Sequence, residues 1–175
     1  MFKYKGNNLK IKEAVIEANS EDVTMLLIND ICDADQFDMT DATNEHISIS
    51  IQKFLIENDI FINVYYPKWR WSKAIGYFSI NNPTTINING YKLNRSIASF
   101  VGNFYHECTH MVSAHDNVYS YDHGSNDPIG KENTAPYAIG DIAYWLAGEE
   151  HRTEAPEYKT YMPWYKRLLN FIWRV

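Results

Sequence analysis

NRSIASFVGNFYHECTHMV, residues 94–112, is the stretch on which the fold of this 175-residue chain turns. Ile97, Phe100, Val101, Phe104, Cys108, Met111 and Val112 recur at three- and four-residue spacings, so the segment is expected to be one helix with a single apolar stripe. Asn94 or Ser96 can cap its start by accepting a hydrogen bond from an orphan amide. Within it lies His106-Glu107-Cys108-Thr109-His110, an HExxH motif. Two imidazoles four residues apart differ by roughly 40° around a helix axis, so both can reach one metal ion from the same face. At about 100° per residue they fall nearly opposite the apolar stripe, beside Ser99, Gly102, Asn103 and Ser113. One side of the helix is thus expected to enter a core and the other to line a cleft.

A bland alternative is a pair of surface histidines on an ordinary amphipathic helix. It leaves unexplained the glutamate placed between them and the small residues around them. A glutamate there sits beside the metal and can take a proton from bound water. Cys108 falls on the apolar stripe and reads as a small buried hydrophobe rather than a thiolate.

A catalytic zinc commonly has three protein ligands and one open position. In the metzincin pattern HExxHxxGxxH the glycine turns the chain so that a residue six beyond the second histidine reaches the metal. Here Ser113 stands at the glycine position and Asp116 at the last one. Asp116 is chemically acceptable as a zinc ligand. His123, in a glycine-containing loop, can return without helical constraint and is preferred to Asp116, with His115 third. Each has a plainer role: Asp116 as a hydrogen-bond partner to a histidine, His123 as an exposed loop residue. Glu132, Glu149 and Glu150 also follow the motif and carry the right chemistry.

The whole chain, residues 1–175, fits one domain large enough to bury a core. Its formal net charge of −6 argues against a nucleic-acid partner. Residues 1–18 are charged and interrupted by Gly6-Asn7-Asn8, which is no signal peptide, and no apolar run reaches membrane-spanning length. With Cys32 and Cys108 its only cysteines, no disulfide is expected. From these features a cytoplasmic location, or release without a Sec-type signal, is expected.

Residues 2–5 and 9–15 flank Gly6-Asn7-Asn8 as a candidate hairpin. Residues 23–31 are an apolar run of ambiguous type. The aspartates at 30, 33, 35, 38 and 41 lack the glycine and terminal glutamate of a calcium-binding EF-hand loop and read as a solvated acidic loop. Residues 44–58 read as a helix, 60–66 as a strand, and 74–80 and 84–89 as two further strands. Ile86 and Ile88 alternate with Asn87 and Asn89, which suggests one buried and one polar face and an edge on which an extended peptide can lie. Trp69, Arg70, Trp71 and Lys73 form a short aromatic and basic patch, better suited to packing than to stacking on nucleobases. Residues 116–135 read as a loop and 139–149 as a helix. Residues 161–175, with Trp164, Leu168, Leu169, Ile172 and Trp173, read as a terminal helix that docks on the domain or on a protein partner.

Residues 84–143 resemble small HExxH proteins encoded by tailed bacteriophages and prophages. The resemblance is carried by Thr85-Ile86-Asn87-Ile88-Asn89, Lys92-Leu93-Asn94-Arg95-Ser96, the HExxH motif, His123-Gly124-Ser125-Asn126 and residues 130–140. It implies an α+β zincin-like, metzincin-related domain: a small, twisted, mostly antiparallel sheet packed on the HExxH helix, with C-terminal helices. It also implies that residues 134–137 form the turn beneath the metal, with Pro136 where metzincins carry methionine, and that Tyr137 faces the site.

Two functions are consistent with these features. One is a zinc-dependent endopeptidase in which Glu107 is the general base, Tyr137 assists at the oxyanion, and His106, His110 and either His123 or Asp116 hold Zn2+. Its partner is a peptide or protein substrate. The other is a non-catalytic zincin-fold structural or assembly protein, such as a tail or connector component of a phage virion, whose partners meet the aromatic C-terminal helix.

Overall fold

In the computed structural model, residues 1–69, 72, 74–124 and 129–148 are described. The expected terminal helix at 161–175, Glu149, Glu150 and most of the aromatic and basic patch lie outside them. The chain is a mixed α+β assembly of a four-stranded sheet and five helices among these residues. A short strand β1 (Phe2–Lys3) leads into α1 (Leu9–Ala18), α2 (Glu21–Asp33) and α3 (Asn44–Glu57). Strands β2 (Ile60–Tyr65), β3 (Gly76–Ser79) and β4 (Asn82–Asn89) follow, then α4 (Ile97–His115) and α5 (Ala135–Ala147).

The N-terminal segment is a strand and a helix, not a hairpin. Asn8 Oδ1 accepts from the Ile11 amide at 3.1 Å, and Ile11, Ala14 and Ala18 recur at helical spacing to form the buried face of α1. β1 instead pairs in parallel with β2, which a strand can do only across a long connection. The ambiguous run at 23–31 is helical, capped by Ser20 and buried through Val23, Leu27 and Ile31. The helix expected at 44–58 is α3, capped by Thr43.

The sheet order is β1-β2-β4-β3. Two of its three pairings, β1 with β2 and β2 with β4, are parallel, and only the β3–β4 hairpin is antiparallel, so the sheet is not mostly antiparallel. The reason is the path of the chain: β3 swings to the outer edge before β4 folds back between it and β2. β4 is consequently an interior strand and offers no free edge; the edge belongs to β3. Ile86 and Ile88 enter the core, and Asn87 and Asn89 are buried as well. Asn87 accepts from Asn63, while Asn89 accepts from the Tyr91 amide and donates to the Ala74 carbonyl. Those bonds replace the lost water.

α4 runs through the middle of the molecule and meets α1, α3, α5, β3 and β4. Ser96 caps it, its hydroxyl accepting from the Ser99 amide at 3.1 Å. The apolar stripe read from the sequence is its core face, but the opposite side is only partly open. A Cβ on Gly102 would lie 2.7 Å from the Gly140 carbonyl oxygen, so this glycine lets α5 pack against the helix backbone rather than lining a cleft. No helix among the described residues is long and apolar enough to cross a membrane.

Candidate metal centre

His106 and His110 project from the same side of α4 with their Nε2 atoms 3.2 Å apart. His123 arrives from the connection between α4 and α5, its ring centroid 5.4 Å from that of His106 and 4.6 Å from that of His110. One ring nitrogen from each of the three lies within 4.8 Å of the others, the one such metal-competent group among the described residues.

The return of the chain is built locally. Asp116 ends α4 and its Oδ1 accepts from the amides of Val118 and Tyr119, which turns the backbone. The buried Ser113 hydroxyl then accepts from the Tyr121 amide at 3.0 Å. That bond pins the chain two residues before His123. Gly124 follows with a φ of 72°, a left-handed turn that suits glycine. Ser113 thus has its own task where metzincins carry glycine.

The proton positions follow from the partners. Pro136 has no N–H, so its backbone hydrogen bond to His106 runs from the ring to the carbonyl. Burial, then the neighbouring His110 and His123, push the His106 pKa down to about 3, so this ring is neutral at pH 7. On His110, Nδ1 lies 3.1 Å from Asp122 Oδ1. The His110 hydrogen bond draws the Asp122 pKa down to about 2, so at neutral pH this carboxylate only accepts. With Nδ1 of His110 turned to Asp122, its Nε2 is the nitrogen that faces His106 Nε2. Two ring nitrogens 3.2 Å apart can be bound by one cation. The donor set, three imidazoles with one turned by a carboxylate, suits Zn2+.

Glu107 is buried beside this group. Its Oε2 accepts from the Phe78 amide of β3 at 3.0 Å, and Asn103 stands one turn earlier on α4. Burial raises the Glu107 pKa, opposed by His110, by the Phe78 amide and by the side chain of Asn103. The Tyr137 ring, in the first turn of α5, packs 4.7 Å from both His106 and His123 between ring centroids.

The other residues considered from the sequence lie elsewhere. Asp116 Oδ2 is 2.6 Å from His46 Nε2, and Asp116 does not join the three-histidine group. His115 Nδ1 donates to the Met111 carbonyl at 2.7 Å, and its ring packs on Phe54. Glu132 accepts from the Gly130 amide. Asp122 was not singled out by sequence reasoning, although its position next to a candidate ligand was a usable signal. Phe78 acts through its backbone, which no side-chain pattern reveals. No protein-family model, curated protein or solved structure matches the chain.

Proposed function

We propose that the chain is a zinc-dependent endopeptidase of zincin-like fold, with His106, His110 and His123 as the metal ligands and Glu107 as the general base. The observation that carries this is the pairing of two inward-facing Nε2 atoms, 3.2 Å apart, with a buried carboxylate on the same helix. A purely structural zinc site needs ligands but gains nothing from a buried carboxylate held beside it by a backbone amide of the sheet.

Bound zinc supplies Lewis acidity, lowering the pKa of a coordinated water to about 7 and polarising a carbonyl. Glu107 takes the proton of the attacking water and delivers it to the departing amine. Tyr137, whose ring packs on two of the ligands, supplies the hydroxyl that stabilises the developing oxyanion. Asp122 holds the His110 ring so that Nε2 is the ligating atom. The substrate is a peptide or protein.

The test pairs elemental analysis with peptide-library cleavage for the native chain and Glu107→Gln. The expected result is about one zinc per chain in both, with cleavage in the native protein alone, because only the base is removed. Absence of metal after zinc is supplied at neutral pH, or cleavage that survives Glu107→Gln, overturns the proposal.

A further inference from the structure

Asn103 sits one helical turn before Glu107 on α4, where side chains four apart are neighbours, and it is among the groups that hold the Glu107 pKa down. Because a carboxylate only accepts, Nδ2 is the atom turned toward Glu107 and Oδ1 points the other way. There Oδ1 is buried and has no hydrogen-bond partner. It occupies the space above Gly76, where a Cβ would lie only 2.4 Å from it. Three features therefore meet: a glycine that makes room, an amide that leaves its own oxygen unsatisfied, and a carboxylate one turn away that can accept the amide's N–H. Stability alone disfavours this arrangement, since an apolar side chain at position 103 would bury no orphaned acceptor. A polar group kept at such a cost points to use at the site.

We propose that Asn103 is a positioning residue for Glu107: with the Phe78 amide of β3 it forms a two-donor clamp that fixes one rotamer of the carboxylate. The Phe78 amide meets Oε2 from the sheet edge and Asn103 stands on the helix, so the two donors come from separate elements. Gly76 belongs to the same clamp, as the place on β3 that admits the Asn103 amide. The inference rests on Glu107 being the base, and it identifies what aims that base.

Asn103→Ala removes the donor, and Gly76→Ala displaces it from the other side while leaving Asn103 in the sequence. Crystal structures of both zinc-loaded variants are expected to show Glu107 departing from its native rotamer. Zinc affinity, read by chelator competition, is expected to stay within about threefold, because neither residue is a ligand. On a cleaved library peptide, kcat is expected to fall about tenfold with KM unchanged. Glu107 retained in the native rotamer in either correctly folded variant overturns the clamp, as does a fall in zinc affinity that accounts for the lost activity. A displaced Glu107 in a chain that shows no peptidase activity even as the native protein supports the clamp and overturns the peptidase assignment, so the two failures are distinguishable.

Discussion

Asp122 joins the helix to the returning loop through one oxygen atom: Oδ1 lies 3.1 Å from His110 Nδ1 and accepts from the backbone amide of His123 at 2.6 Å. One carboxylate thus fixes the ring of one ligand and the backbone of another. Such partners commonly change metal affinity by about 10–100-fold when removed. Asp122→Ala is expected to weaken zinc binding by that factor at neutral pH while leaving stoichiometry at saturating zinc unchanged. Competition with a chromophoric chelator measures it, and an unaltered Kd would show that the His110 ring needs no such support.

Third-ligand assignment separates two residues that sequence reasoning left open. Asp116 is spent on His46 and on two backbone amides, whereas His123 is buried against the other histidines. His123→Ala is expected to lose tight zinc binding, and Asp116→Ala to retain about one zinc per chain. Elemental analysis after gel filtration decides between them. The reverse outcome would exchange their roles.

Gly102 and Gly140 set how closely α4 and α5 approach. A Cβ on Gly102 would lie 2.7 Å from the Gly140 carbonyl oxygen and 2.9 Å from Tyr144 Cβ, and a backbone atom cannot move aside cheaply. Overpacking of this kind costs about 1–3 kcal/mol, offset by up to about 1 kcal/mol of helix propensity. Gly102→Ala is therefore expected to destabilise the fold by about 1–2 kcal/mol, a drop of roughly 2–8 °C in Tm for a chain of this size. An unchanged or higher Tm in calorimetry would mean that the helices separate without penalty.

Where local rules and tertiary demands coincide, the sequence was readable. The helix α4, with its apolar stripe and Ser96 cap, and the paired histidines lie where periodicity places them, because a helix fixes the relation of residues four apart. β2, β4 and α3 were legible for the same reason. The N-terminal segment was misread because Gly6-Asn7-Asn8 resembles a turn, while Asn8 is in fact a helix cap. Sheet direction was not legible: nothing local to β1 announces a parallel partner nearly sixty residues away. Gly102 looked like clearance for a cleft and is instead a helix contact, since a glycine does not record what approaches it. Asp122 and the Phe78 amide escaped for a related reason: the sequence does not show which loop or strand comes back to meet the motif.

Asp116 also gives the fold a pH dependence of known sign. Burial tends to raise its pKa, but hydrogen bonds from His46 and from the Val118 and Tyr119 amides outweigh that, and its carboxyl is held below the usual value. A carboxyl with a depressed pKa binds protons less readily in the folded than in the unfolded chain. It stabilises the fold above the unfolded pKa of about 4, and that contribution fades as pH falls through about 4 toward the lower folded value. Asp116→Ala, which removes a charged, bonded acceptor, is expected to cost about 1–3 kcal/mol near pH 7. The difference between the native chain and the variant is expected to hold between about pH 5.5 and 7 and to shrink below about pH 4. Urea denaturation of the metal-free proteins across that range measures it directly. A difference that grows as pH falls would reverse the sign and show that Asp116 is not held ionised in the fold.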